Sequence, residues 1–574
     1  MALAPLAYRV PYYVDWRTNG WLAQYFTGYL AHHGTLPWLI NTNEAIGMPQ
    51  PLYYGYLFYP TAALFGQILK GDGALRVLMA GVAVICFGSV AHAFSAVSGR
   101  RWLGTAVATA NLWSAYGLTN LYFRNALLEY ASVSCLTSGL LLFLLAIHGI
   151  HGRRRALLNQ SAILLCFAAG THPPTLVLGG VFLLAASPLV AVAIGRHWRR
   201  LPSALPYLGL AVAVLLPFVL VVLESAQDLK IAVPHLGFST DSIDRPSTRL
   251  WPLPIDARVD RLGAANVSTP YLTASLDYAM VLLWGAAAVC GWRAAPAGKP
   301  RQVIALCAAY SALLAAAIAV VSVAPGLEFI LPSAVREVQF AYRLTSYIHL
   351  ALLLGAFTMW CVVGRTRGPA GTEPILRGAA ICAVIFAAAV LFVKGAQLVS
   401  LIEDVTLAQN WYGASYARNS ASADFIMHTA TDYSMPRRYP ALPAGQSAMP
   451  VEAKLTLPHG AFGEVGSASV SCPRACFARL NAIASSWIVV TVNGMRASSA
   501  DLYQDDGFFL IRLPAGTWRL GIEPAKSAIP GLRDGAFALW FLWLALTAFS
   551  ATRKRLGLAS ALTLRGSVAR TGPP

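Results

Sequence analysis

The chain has 574 residues, of which 57% are hydrophobic and 12% are charged, and its mean hydropathy is +0.56. Soluble domains carry charge on about a quarter of their residues, so this composition excludes a soluble multidomain protein and predicts a polytopic membrane protein. The net charge of +18 does not indicate nucleic-acid binding, because the basic residues form short clusters between apolar runs, as in cytoplasmic loops.

Residues 1–74 are predicted to form an outer loop with interfacial amphipathic helices. The stretch from Asp15 to Lys70 is aromatic, is interrupted by Gly and Pro, and carries bulky residues at helical spacing in "WLAQYFTGYLAHHG". Trp and Tyr of such segments lie at headgroup depth, so the stretch is expected to lie along the membrane. An amphipathic anchor without chemistry is the alternative.

Eleven apolar runs approach the roughly 20 residues that a helix needs to cross a bilayer. Basic clusters follow every second run, which predicts that the N-terminus and residues 398–533 face outward. An outward N-terminus without a signal peptide raises the expectation of a first helix before residue 1. Residues 75–397 are the predicted transmembrane core, and 534–574 the final helix and cytoplasmic tail. The runs lie near residues 75–98, 102–120, 130–150, 156–170, 174–196, 203–224, 272–292, 302–325, 341–364, 376–397 and 534–551.

Residues 398–533 are predicted to form a periplasmic or extracellular domain that is β-rich from about residue 450. The runs "VEAKLTL", "ASVSC", "WIVVTVNG" and "GFFLIRLPAG" alternate or are separated by turn residues, which predicts a small β-sandwich. Cys472 and Cys476 lie here, where a disulfide is permitted and two unpaired thiols are the alternative. Zinc is disfavoured because no second Cys or His pair follows at a suitable distance. The domain either binds glycan or packs against the membrane core.

Three motifs are predicted on the outer side: Gly47–Pro60, "RNALLE" (Arg124–Glu129) and "VQFAYRL" with Gln339 and Arg343. Their order resembles the GT-C superfamily of membrane glycosyltransferases, which use polyprenyl-phosphate-linked sugars, and is closest to poorly characterised bacterial multispanning members. The resemblance covers most of residues 10–440. It implies an enzyme of the bacterial inner membrane, with its active site facing the periplasm, that transfers a sugar to a glycan, lipid or protein of the cell envelope.

Asp15 is the predicted general base. Transfer requires an acceptor hydroxyl to lose its proton as it attacks the anomeric carbon, and a carboxylate within hydrogen-bond reach suits that role. By the resemblance, Asp15 occupies the first outer loop, where the superfamily keeps its catalytic Asp. Attack opposite the phosphate would invert the anomeric configuration. The alternative is that Asp15 only caps the interfacial helix, since Asp is a favoured N-cap residue.

The leaving phosphate gains negative charge, so cations at the outer boundary should stabilise the transition state. Arg124, Arg343 and His172 are the predicted phosphate-binding residues. Each has a structural alternative: Arg124 pairing with Glu129 or lipid headgroups, Arg343 snorkelling at a helix start, and His172 capping a Pro-terminated helix. Further candidates for acceptor binding or support are Glu44, Glu129, Tyr54 and Gln339.

No metal site is predicted. Mg²⁺ needs two or more hard oxygen ligands held close together, whereas Asp15, Glu44 and Glu129 come from separate loops. Dependence on Mg²⁺ or Mn²⁺ stays open, as some GT-C enzymes use a divalent cation. The competing functions are a lipid-linked glycan transporter or flippase, for which internal repeats and mid-membrane charges are expected, and a non-catalytic envelope-assembly protein.

Overall fold

The computed structural model describes most of the chain as helices, with a small sheet domain before the last helix. The described residues are 14–41, 46–47, 54–69, 73–123, 126–149, 153–225, 229–230, 276–323, 341–364, 372–419, 435–436, 439–441, 450–457, 463, 465–505 and 507–568. The helices are α1 Val14–His33, α2 Phe58–Gly66, α3 Gly73–Ser98, α4 Arg101–Leu112, α5 Ala115–Leu118, α6 Leu127–His148, α7 Arg154–Thr171, α8 Pro173–Ala185, α9 Ser187–Ile194, α10 Leu205–Ser225, α11 Tyr278–Ala294, α12 Lys299–Val323, α13 Thr345–Val363, α14 Thr372–Asn419 and α15 Ile529–Val568.

Seven helical segments among the described residues are long and apolar enough to cross a membrane, which supports a membrane-embedded protein. Each overlaps a predicted run, but the predicted count of eleven spans is not confirmed. The seven are Gly73–Ser98, Leu127–His148, Ser187–Leu223, Lys299–Ser322, Thr345–Val363, Thr372–Val399 and Ile529–Thr552.

Two of the other predicted runs are interrupted. The run 102–120 is helical only to Leu112 and continues as α5 and a π-helical turn, Thr119–Phe123. The run 174–196 divides between α8 and α9, where Pro188 occupies the first turn of α9 and supplies no backbone N–H to continue the preceding helix. The runs 156–170 and 272–292 correspond to α7 and α11, of which α11 has 17 residues.

Helices α6 and α13 are the central pair of the bundle. In their most apolar windows, 83% and 89% of residues are buried inside the protein, against 22–50% in the other five candidate spans. Half or more of the residues in each of those five windows are not buried, whereas α6 and α13 are enclosed by protein. Glu129 and Thr345, in the first turns of these two helices, are buried.

The sheet domain contains two four-stranded sheets with strand orders β4-β10-β6-β7 and β3-β5-β9-β8. The pairing is antiparallel except between β3 and β5. Asn493 and Gly494 have positive φ and form the predicted hairpin turn between β6 and β7. Cys472 and Cys476 are joined as a disulfide, with their Cα atoms 5.8 Å apart. The strands are β3 Val451–Ala453, β4 Gly466–Cys472, β5 Cys476–Ile483, β6 Ile488–Val492, β7 Met495–Arg496, β8 Leu502–Asp505, β9 Phe508–Leu513 and β10 Gly516–Pro524; short strands β1 Leu229–Lys230 and β2 Met435–Pro436 pair separately.

The segment after α1 packs against the sheet domain. We call residues 34–41 and 46–47 the strap. Its residues Trp38 and Ile46 belong to the hydrophobic core of the sheet domain. The Ile46 backbone also donates to the Asn481 carbonyl and accepts from the Ile483 amide, each at 2.8 Å, so the strap pairs with β5. The N-terminal stretch is thus part of the packed protein in addition to any contact with lipid.

The basic clusters at Arg100 and Arg200 lie at the end of the bundle opposite the sheet domain. Arg100 contacts Glu373 at 2.7 Å, and Arg200 donates to the carbonyl of His148, so the ends of α3 and α6 and the starts of α10 and α14 share one end. Val221, near the far end of α10, belongs to the core of the sheet domain. We call these the basic end and the sheet end. Because α6 runs from Leu127 to His148, its first turn is at the sheet end.

Candidate functional site

An ion pair between Glu129 and Arg343 lies at the start of the two central helices. Arg343 Nε is 3.1 Å from Glu129 Oε2, although its N–H is not aligned for a hydrogen bond with that oxygen. The other carboxylate oxygen, Oε1, accepts hydrogen bonds from the Tyr116 hydroxyl at 2.6 Å and from Asn120 Nδ2 at 3.2 Å. The Glu129 side chain is 3% exposed and that of Arg343 is 11% exposed. Arg343 is therefore the more accessible member of the pair.

The break after α4 places Tyr116 and Asn120 beside Glu129. The Ser114 side chain accepts from the Gly117 amide and begins α5, and the π-helical turn that follows carries Asn120. Single π-turns occur often at functional sites, and irregular backbone at membrane depth is tolerated where protein covers it. Tyr116 and Asn120 are both buried.

The helix dipoles of α6 and α13 favour the negative charge of Glu129 and disfavour the positive charge of Arg343. Glu129 lies in the first turn of α6, where the helix dipole stabilises a negative charge. Arg343 lies in the 3₁₀ turn Ala341–Leu344 that directly precedes α13, where the dipole of that helix opposes a cation. The carboxylate of Glu129 offsets this cost. A buried arginine at a helix start is thus not explained by helix stability.

A second set of contacts connects His172 and Tyr54 with α13. His172 Nδ1 lies 2.8 Å from Thr175 Oγ1, and the Tyr54 ring meets the His172 ring edge-on at 5.7 Å between centroids. The Thr175 carbonyl accepts from the Tyr347 hydroxyl at 3.2 Å. Tyr347 is four residues, or about one turn, beyond Arg343. Contacts therefore run from Tyr54 to the start of α13.

His172 occupies the N-cap position of α8 but makes no side-chain capping hydrogen bond. Its ring is turned to Thr175, and the residue is 2% exposed. His172 therefore has the position predicted for a capping residue but does not form the capping hydrogen bond. Such deep burial suits a residue that orients its neighbours, and its predicted contact with a donor phosphate stays a prediction.

Three helices begin where these contacts meet. Glu129 of α6 contacts Arg343 before α13, and Thr175 in the first turn of α8 contacts Tyr347 in the first turn of α13. Helix N-termini carry partial positive charge and unsatisfied N–H groups, so they favour anions. Together with the more accessible Arg343, these N-termini make the sheet end electrostatically suited to a phosphate.

Asp15 lies in the first turn of α1, which begins at Val14, so it is inside the helix instead of at its N-cap. The side chain of Asp15 is outside the described residues. The neighbouring turn is fixed by Arg76, 5.0 Å from the Trp16 ring, and by the Tyr59 hydroxyl, which donates to Asn19 Oδ1 at 2.7 Å. These contacts join the start of α1 to the starts of α2 and α3.

The start of α1 is also linked to the start of α6. Tyr59 packs against Gly55, where an added Cβ would lie 3.1 Å from Leu128 Cδ2, next to Glu129. Of the sequence-predicted residues, the structure brings together Glu129 and Arg343, and it joins His172 and Tyr54 to them through Thr175 and Tyr347. The predicted site residues Arg124, Glu44 and Gln339 lie outside the described residues.

Among the residues that the structure describes, no group of three or more His, Cys, Asp or Glu side chains could hold a metal ion. Asp15 and Glu44, two of the carboxylates considered for a cation, are not covered by that search. Metal independence consequently stays a prediction.

The sequence missed Tyr116, Asn120 and Tyr347. Each lies within or beside an apolar run, where a Tyr or Asn is easily counted as part of a span. The one available signal was "WSAYGLTN", in which Ser and Gly interrupt the apolar run 102–120.

No protein-family model, curated protein or solved structure matches the chain.

Proposed function

We propose that the protein is a GT-C-type glycosyltransferase that moves a sugar from a polyprenyl-phosphate donor to a glycan, lipid or protein of the cell envelope. The sheet end would face the periplasm of a bacterium, and the basic end the cytoplasm, because basic loops remain inside. The observation that carries the proposal is the 3.1 Å contact between Arg343 and Glu129. These residues come from two motifs that are far apart in the chain, in which Arg343 is predicted to bind the donor phosphate and Glu129 to bind the acceptor or support the site.

In this proposal Arg343 binds the donor phosphate at the start of α13. Its guanidinium group and the N-termini of α6, α8 and α13 would stabilise the charge that develops on the leaving phosphate. Arg124 would add a second cation, by resemblance. His172 and Tyr54 would support the arrangement through Thr175, whose side chain contacts His172 and whose carbonyl contacts Tyr347.

Asp15 would act as the general base. The acceptor hydroxyl gives its proton to the Asp15 carboxylate while its oxygen forms a bond to the anomeric carbon. The bond from that carbon to the phosphate oxygen breaks, the electron pair leaves with the phosphate, and the anomeric configuration is inverted. The first turn of α1, which carries Asp15, is linked through Tyr59 to the start of α6, and this proximity supports the assignment.

The proposal is tested in a deletion strain that expresses either the wild-type protein or Asp15→Asn. Mass spectrometry of envelope glycans and lipid-linked sugars should show the product with the wild type only, and accumulated donor with the variant. Asp501→Asn, in the 3₁₀ turn Ser499–Asp501 of the sheet domain, is the matched control and should restore the product. A normal amount of product with Asp15→Asn would remove the proposed mechanism.

A further inference from the structure

We propose that Glu129 is a positioning and specificity-determining residue: it holds Arg343 in place and restricts the phosphate site to lipids that carry one phosphate charge. Diphosphate-linked lipids would be disfavoured. This inference rests on the proposed function, because it assigns the charge of the donor that the Arg343 site accepts.

The first argument is the asymmetric burial of the pair. Glu129 is 3% exposed and is held by Tyr116 and Asn120 through Oε1, which directs Oε2 to Arg343. A ligand that approaches this pair therefore meets Arg343, the more accessible residue. Glu129 acts on the ligand only through Arg343 and through its electric field.

The second argument is the cost of separating the pair. Removing one partner of a buried ion pair leaves an uncompensated charge in surroundings of low dielectric constant, which is strongly unfavourable. Arg343 is consequently expected to remain beside Glu129 when a phosphate binds. The anion would meet an arginine whose position is already fixed, so that less ordering is needed on binding.

The third argument is the charge balance of the pair. Arg343 carries one positive charge and Glu129 one negative charge, so Glu129 cancels the charge that Arg343 brings to the site. A phosphodiester adds one negative charge, which the helix N-termini, Arg343 and the second cation proposed at Arg124 can accommodate. A diphosphate diester adds two, and both would lie near the Glu129 carboxylate. Juxtaposed like charges are costly at a binding site, so Glu129 should select against the second phosphate.

The experiment uses the full chain in phosphatidylcholine nanodiscs and two sugar-free probes. A polyprenyl methyl phosphate carries one negative charge, and the polyprenyl methyl diphosphate of the same chain length carries two. In the wild type we expect tighter binding of the monophosphate. In Glu129→Gln the ratio of the two Kd values should shift towards the diphosphate by about tenfold or more, since tenfold corresponds to only ~1.4 kcal/mol.

Companion variants separate the charge of Glu129 from its structural role. Tyr116→Phe should weaken binding of both probes and leave the ratio of their Kd values unchanged. The substitution removes a hydrogen bond that holds the Glu129 carboxylate in place but leaves its charge. Glu373→Gln is the matched control, since Glu373 pairs with Arg100 at 2.7 Å at the basic end, and it should change neither Kd. If Glu129→Gln fails to fold, Glu129→Asp keeps the charge and should retain the wild-type ratio.

An unchanged ratio in folded Glu129→Gln would overturn the inference, as would a changed ratio in Glu129→Asp. Equal competition by phosphatidylglycerol would also overturn it, by showing a site for bulk anionic headgroups. Failure of the proposed function gives a different result: Asp15→Asn would then leave glycan products intact while the Glu129→Gln shift persists. The two ideas can therefore fail separately.

Discussion

Substitution of Arg533 by alanine should release the strap from the last helix. Arg533 lies at the start of α15, is 3% exposed, and donates from its two terminal nitrogens to the carbonyls of Pro37 and Leu36, each at 2.7 Å. Its guanidinium carbon also lies 5.2 Å from the centre of the Trp38 ring. One arginine thus joins the strap, which belongs to the core of the sheet domain, to α15.

The expected cost follows from these contacts. Hydrogen bonds to a charged donor contribute about 1.5–3 kcal/mol each, and a partly desolvated cation–π contact about 1–2 kcal/mol. Relief of the buried charge offsets part of the loss. We therefore expect Arg533→Ala to destabilise the docked strap by about 3–5 kcal/mol.

Hydrogen exchange of the full chain in nanodiscs measures this effect. Amides of the strap should exchange about a hundredfold faster or more in Arg533→Ala, because each ~1.4 kcal/mol is a factor of ten. The control is Arg377→Ala, which removes an exposed contact with Glu373 worth about 0.3–0.5 kcal/mol and should leave the strap protected. Wild-type protection of the strap in Arg533→Ala would refute the conclusion that Arg533 holds the strap against α15.

Three further predictions concern the sheet domain and the orientation of the chain. Gly47→Ala should lower Tm more than Gly494→Ala, because both glycines have φ near +80° but a Cβ at Gly47 would collide with Ile488, whereas Gly494 faces open space; equal shifts would contradict the packing. The chain has nine cysteines, of which seven are free, so alkylation after denaturation without reductant should add seven labels, and nine would contradict the disulfide. An impermeant maleimide should label Met495→Cys in intact cells and Ala297→Cys only after permeabilisation; the reverse pattern would invert the orientation.

The sheet domain could be predicted in outline because alternation and turn chemistry are local signals. The predicted runs coincide with β3, β4, β6 and β9, and the Asn493-Gly494 turn connects β6 to β7. The sequence analysis did not identify β5 or β10. Gly521 interrupts the hydrophobic pattern of β10, while "CFARLNAI" of β5 lacks clean alternation because neighbouring residues on both faces are buried. Tertiary burial, which the pattern does not contain, determines those strands.

Hydrophobic run length was less informative for the membrane helices. It identified the segments that overlap the seven candidate spans, but it treated 102–120 as one helix although the chain turns after Leu112. That turn places Tyr116 and Asn120 against Glu129. The mean hydropathy of a run does not reveal a break within it, whereas the arrangement of side chains around Glu129 depends on this break.

The candidate site was predictable in part because buried charges are costly and therefore rarely idle. Glu129 and Arg343 were selected from separate motifs, and the structure pairs them. Their pairing with each other was not predicted, since Arg124 was considered the partner of Glu129 on sequence proximity. A one-dimensional pattern cannot show that the starts of α6 and α13 meet.

Donor turnover by purified protein tests the central claim most directly. The full chain in nanodiscs would receive the lipid-linked sugars that accumulate in the deletion strain together with envelope acceptor, and released polyprenyl phosphate would be quantified by mass spectrometry. We predict release with the wild type, about a hundredfold to ten-thousandfold less with Asp15→Asn, since general-base catalysis contributes about 10²–10⁴-fold, and unchanged release with Asp501→Asn. Release by Asp15→Asn at the wild-type rate would contradict the account.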